Sequence, residues 1–64
     1  MKTLNSDIDL FIAALTQDRV TVVEKDTGKI ADYGGPVDYF SFNAVRIGGV
    51  YYTRAANIFR VNRT

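Results

Sequence analysis

The chain has 64 residues, no cysteine, no histidine and a formal net charge of +1. That length holds one domain, 1–64, and the composition excludes disulfides and the usual thiolate or imidazole metal sites. A domain this small buries only about 60% of the surface its unfolded chain exposes, so self-association is the support left open.

No apolar run approaches the roughly 18 residues of a membrane span. "MKTLNSDIDLFIAAL" carries acids where a secretory leader is apolar. A soluble, cytoplasmic protein without a membrane partner is therefore expected. In "NSDIDLFIAALTQD", Ile8, Phe11, Ile12 and Leu15 recur at i, i+3, i+4 and i+7. This spacing predicts a helix over about 6–18 with one apolar face. Asn5 or Ser6 caps its start, and Asp7 and Asp9 lie where the helix dipole favours negative charge. β-branched residues in "RVTVVEK" predict a first strand, and "KDTGK" a turn at Gly28. "IADY" continues as a second strand until Gly34, Gly35 and Pro36, which either open a loop or bend a continuous strand.

"VDYFSFNAVRI" then runs to a two-residue Gly48–Gly49 loop and returns as "VYYTR", a hairpin signature. Its register opposes Ile47 to Val50, Val45 to Tyr52 and Asn43 to Arg54. Val45, Ile47, Val50 and the Tyr52 ring then face inward, and Arg46 lies on Tyr51 outside. After the "AAN" break, "NIFRV" is the last strand. The pattern predicts a mainly β domain with one N-terminal α-helix: a small, strongly bent, five-stranded antiparallel barrel with strands over about 19–62.

Charge is segregated along the chain. Residues 1–40 hold four bases against seven acids, −3, whereas residues 41–64 hold Arg46, Arg54, Arg60 and Arg63 and no acid, +4. Arginine pairs with phosphate and stacks on rings, so the asymmetry points to nucleic acid or another acidic partner; chance segregation in a short chain is the alternative. Asp7, Asp9 and Asp18 read as capping and surface acids, because no catalytic base or metal ligand accompanies them. "GKIADYGG" lacks the spacing and Lys-Ser/Thr pair of a phosphate loop. No enzyme, cofactor or metal is expected.

With these residues in view, the chain resembles the Sm-like family, closest to its bacterial Hfq branch, over about Leu4 to Val61. "DLFIAALTQDRVTVVEKDTGK" is similar to the Hfq opening. "DYF", Asp38–Phe40, resembles the Asp-x-aromatic element of the first Sm motif, and "YTRAANIFRV" resembles the second. Ala55 replaces the motif glycine, and Thr53–Arg54 stand where Hfq has Lys-His. The interval from Gly28 to Asp38 is about one residue short, and Phe42 sits where the Sm pattern has asparagine, with Asn43 next to it.

The resemblance implies a homo-oligomeric ring of about five to seven subunits, closed by strand pairing between neighbours. Val50, Tyr51, Tyr52, Ile58, Phe59 and Val61 would lie on the interface strands. It implies single-stranded RNA, U-rich or A-rich, as partner, and a riboregulator or RNA chaperone as function. Phe40 would be the stacking platform with Tyr39 beside it, Asp38 would buttress the loop, and Arg54 would contact a base or phosphate. Asn43 would read a base edge. Each residue has a plainer reading: Phe40, Tyr51 and Tyr52 as core or interface, Arg54 as an inter-subunit ion pair to Asp38 or Glu24, Arg60 and Arg63 as solvated charges. The acidic helix raises a second possibility, a structural or protein-interaction ring of the same fold without RNA.

Overall fold

The computed structural model describes residues 2–61; Arg63, read above as a solvated charge, lies outside them. The described chain runs β1 (Lys2–Thr3), α1 (Asp7–Thr16), β2 (Val20–Glu24), β3 (Ile30–Gly35), β4 (Val37–Phe40), β5 (Ala44–Ile47), β6 (Val50–Thr53) and β7 (Asn57–Val61). This is a mainly β domain with one N-terminal helix and antiparallel pairing throughout.

In place of five strands closed into a barrel there are seven in two open sheets, ordered β1-β7-β2-β3 and β4-β5-β6. Three differences account for the change. The second strand, expected to end at Gly34, runs on through Gly34 and Gly35, and at Pro36, the single residue between β3 and β4, the chain passes from one sheet into the other. Gly34 takes φ +145° against the Arg19 side chain. A Cβ on Gly35 would lie 3.2 Å from Ile47 Cγ2, so both glycines let the backbone bend close to its neighbours. "VDYFSFNAVRI" is two strands, turned at Ser41–Asn43, where Ser41 N–H donates to the Ala44 carbonyl at 2.8 Å and Ser41 Oγ to Asn43 Oδ1 at 3.1 Å. The third difference is β1, which pairs Lys2 with Val61 and Thr3 with Arg60.

Ser6 caps α1 in extended conformation and accepts from Asp9 N–H at 3.2 Å, while Asp9 Oδ2 accepts from Asn5 N–H at 3.2 Å. This reciprocal arrangement satisfies donors that a helix start leaves open. Burial tends to raise the Asp9 pKa, but the hydrogen bonds from Asn5 and Ser6 and the charge of Lys2 outweigh it and hold the carboxyl below its usual value. Gln17 ends the helix in a left-handed conformation, φ 57°.

Leu4, Leu10, Ala13, Val20, Val22, Val37, Val45, Ile47, Phe59 and Val61 form the core. The helix contributes Leu10 and Ala13 to it, with Ala14 packed alongside. The face expected from periodicity points the other way: Ile8, Phe11, Ile12 and Leu15 are all exposed. Among the described residues no helix is long and apolar enough to cross a membrane.

Candidate nucleic-acid interface

The β5–β6 hairpin has the register its Gly-Gly loop implied: Ala44 opposite Thr53, Val45 opposite Tyr52, Arg46 opposite Tyr51 and Ile47 opposite Val50. Strand alternation sends Phe40, Val45 and Tyr52 to the inner side and Tyr39, Arg46 and Tyr51 to the outer. β4 adds Tyr39 opposite Arg46 and Phe40 opposite Val45. The outer face of this sheet therefore carries one cross-strand row, Tyr39–Arg46–Tyr51.

The tyrosine rings meet edge to face, centroids 6.4 Å apart at 73°. The Arg46 guanidinium carbon lies 5.7 Å from the Tyr51 ring centroid, within cation–π range. Tyr39 is 50% exposed and Tyr51 59%, so ring surface remains open for a ligand. Arg46 Nε is screened from solvent without a hydrogen bond and stands 3.7 Å from Asp38 Oδ2. That same oxygen accepts from Gly49 N–H at 2.7 Å. Asp38 thus ties the hairpin loop to the arginine and orients the guanidinium against the Tyr51 ring.

The other expected RNA contacts lie elsewhere. Phe40 is half-buried and packs against the core. Arg54 Nη1 donates to Asp7 Oδ1 at 2.7 Å and to the Ser41 carbonyl at 2.8 Å. It clasps the start of α1 to the β4–β5 turn; its ion pair is made within the chain, to Asp7. Asn43 lies beside it, its carbonyl accepting from Arg54 N–H at 2.9 Å. Asp38 and Tyr39 therefore share the Arg46 face, Asn43 and Arg54 form a second cluster, and Phe40 belongs to the interior.

Of the expected interface residues, Tyr51 and Val50 are exposed on β6, Val50 at 51%, against the inward position expected for it. Tyr52 is half-buried, and its hydroxyl donates to Asp32 Oδ2 at 3.0 Å, joining the two sheets. Burial first, then that hydrogen bond and the Asp32 charge, push the phenol pKa above its usual value. Ile58 is half-buried, whereas Phe59 and Val61 are core residues at 3% and 1% exposure. β7 lies between β2 and β1, so at Arg60 and Val61 both its edges are paired.

Sequence reasoning placed Arg46 on Tyr51 but left it out of the site. The signal was the hairpin register, extended by one strand to Tyr39. A polar cleft of about 120 Å³ is lined by Thr3, Asn5, Lys25, Arg54, Asn57 and Phe59. It is small beside the roughly 300–1,000 Å³ of ordinary ligand sites.

No family model, curated protein or solved structure matches the chain.

Proposed function

We propose that the domain binds single-stranded RNA on the outer face of β4, β5 and β6, in the manner of the Sm-like, Hfq-type proteins its sequence resembles. The observation that carries this reading is the exposed Tyr39–Arg46–Tyr51 row. Unpaired bases stack on such rings at about 1–3 kcal/mol each, whatever their sequence. The Arg46 guanidinium beside the Tyr51 ring supplies a fixed charge for the phosphate linking two bases. The order of elements supports the family reading: a helix, then a ribbon of β2, the bent β3–β4 pair, β5, β6 and β7. Ring assembly of about five to seven subunits, with β6 of one copy on β7 of the next, belongs to the same proposal. It requires β1 to leave the β7 edge that it occupies at Arg60 and Val61.

Titration of labelled oligo-U and oligo-A by fluorescence anisotropy tests the site. Tyr39→Ala and Tyr51→Ala each weaken binding about fivefold or more, as the loss of one stacked base requires. Arg46→Ala flattens the salt dependence by about one phosphate contact. Undiminished affinity in a folded Tyr39→Ala/Tyr51→Ala variant sinks the assignment.

A further inference from the structure

We propose that the exposed face of α1 is a contact between two copies of this chain, which pair their helices antiparallel about a two-fold axis. The helix is apolar on two opposite sides. Leu10 and Ala13 are fully buried against the sheets, while Ile8, Phe11, Ile12 and Leu15 are 60%, 49%, 39% and 68% exposed. At 3.6 residues per turn these four form one stripe pointing directly away from the core. A helix apolar on both sides is the pattern of an element with a layer on each side, and only one layer comes from its own chain.

The chemistry of the rim narrows the occupant. The first turn carries Asp7 and Asp9, the last turn has no basic residue, and none lies between. Both acids are ion-paired within the chain, Asp7 to Arg54 at 2.7 Å and Asp9 to Lys2 at 3.5 Å. The rim is therefore close to neutral, and the helix offers a lipid headgroup or an RNA phosphate no cation of its own. A protein surface remains, and the symmetry of the stripe lets a second copy supply it. Positions 8, 11, 12 and 15 read the same in both directions about a point between 11 and 12. An antiparallel partner centred there sets Ile8 against Leu15 and Phe11 against Ile12 twice over, the self-complementarity that an isologous contact demands. A parallel pair instead brings Asp7 and Asp9 of one copy onto the same acids of the other.

The area is sufficient. Taking about 200 Å² for a fully exposed side chain of this size, the stripe offers on the order of 400 Å² of apolar surface per copy. Interfaces are about 60% apolar, so the whole contact covers roughly 650 Å² per copy. The total of about 1,300 Å² lies within the range of specific complexes. The face is separate from the Tyr39–Arg46–Tyr51 row, and the proposal does not depend on the RNA reading.

Sedimentation equilibrium on the full chain at about 100 μM, without RNA, is the first test, a concentration that populates a dimer of micromolar affinity. A mass that halves in Phe11→Glu and in Leu15→Glu, from dimer to monomer or from paired rings to a single ring, with circular dichroism unchanged, is the expected result. A wild-type monomer overturns the proposal, as does a wild-type mass that neither variant lowers. Because the chain has no cysteine, cross-linking reads the geometry independently of any disruptive variant. A mixture of Ile8→Cys and Leu15→Cys chains forms the 8-to-15 disulfide on mild oxidation. Prevailing 8-to-8 and 15-to-15 disulfides, or none, overturn the antiparallel arrangement.

Discussion

Beside the bond from Asn57 Nδ2–H to the Thr53 carbonyl at 2.9 Å, Tyr52 links the two sheets through its side chain. Its ring packs against the core and its hydroxyl donates to Asp32 Oδ2, while Asp32 Oδ1 accepts from Gly34 N–H at 3.0 Å. The carboxylate therefore braces both the bend at Gly34 and the far hairpin. Tyr52→Phe removes one hydrogen bond and leaves Asp32 its backbone donor, so the expected loss is about 1 kcal/mol at neutral pH. The raised phenol pKa gives this residue a pH signature. An unfolded tyrosine releases its proton near pH 10, and the folded chain holds the Tyr52 proton to higher pH. Above pH 10 the unfolded state thus binds fewer protons, and stability falls as pH rises through the folded pKa. Its contribution is complete below pH 10. Melting curves between pH 8 and 11 should show the native chain losing stability relative to Tyr52→Phe at the alkaline end. Parallel profiles for the two proteins would show that the phenol proton is not coupled to folding.

At the scale of elements, α1 separates periodicity from burial. The i, i+3, i+4, i+7 rule found a real apolar stripe, but the opposite stripe of Leu10, Ala13 and Ala14 is what docks, because small residues let the helix sit close to the sheets. Leu10→Ala is expected to cost about 2–4 kcal/mol, as for other fully buried leucines. Leu15→Ala, measured in dilute solution, should stay within about 0.5 kcal/mol. Urea titrations of the two variants decide between the faces, and the reverse ranking would mean that α1 docks through its larger side chains. The β5–β6 hairpin was legible to the residue because a Gly-Gly loop of two residues admits one register. The turn at Ser41–Asn43 was not. Phe42, 92% exposed at its tip, reads as a strand residue, and only the flanking Ser and Asn signal a turn. The Tyr39–Arg46–Tyr51 row depended on that missed hairpin. Tyr39 joins Arg46 only once the chain has reversed between them, so the match to the Sm motif, which made Phe40 the platform, had no register to set Tyr39 against Arg46. Arg54 was recognised as special, but its partner, Asp7, lies 47 positions earlier in the chain. No local pattern connects them.

Across the whole molecule, the shortest strand governs which edges are open. β1 has two residues, followed by a Leu4 N–H bond to the Phe59 carbonyl at 2.7 Å and burial of the Leu4 side chain. It covers the outer edge of β7, whose other edge is already taken by β2. Unpaired strand edges are templates for intermolecular pairing, and β6 presents one in the same molecule, on the side away from β5. Each copy thus has an open edge on β6 and a complementary edge on β7 held shut by two residues and one leucine. Lys2→Pro combined with Thr3→Pro removes β1 pairing while leaving Leu4 and the core intact, since proline cannot donate to a ladder. It also removes the Lys2 ion pair to Asp9, which a Lys2→Ala control isolates. Exposing the β7 edge should then drive head-to-tail association through β6, a contact that closes into a ring or grows into a filament according to its rotation. Native mass spectrometry of the double variant beside the native chain reads the outcome. The expected result is a shift to larger assemblies that survives Phe11→Glu, which disrupts only the helix face. An unchanged mass distribution would mean that β1 does not control the edge.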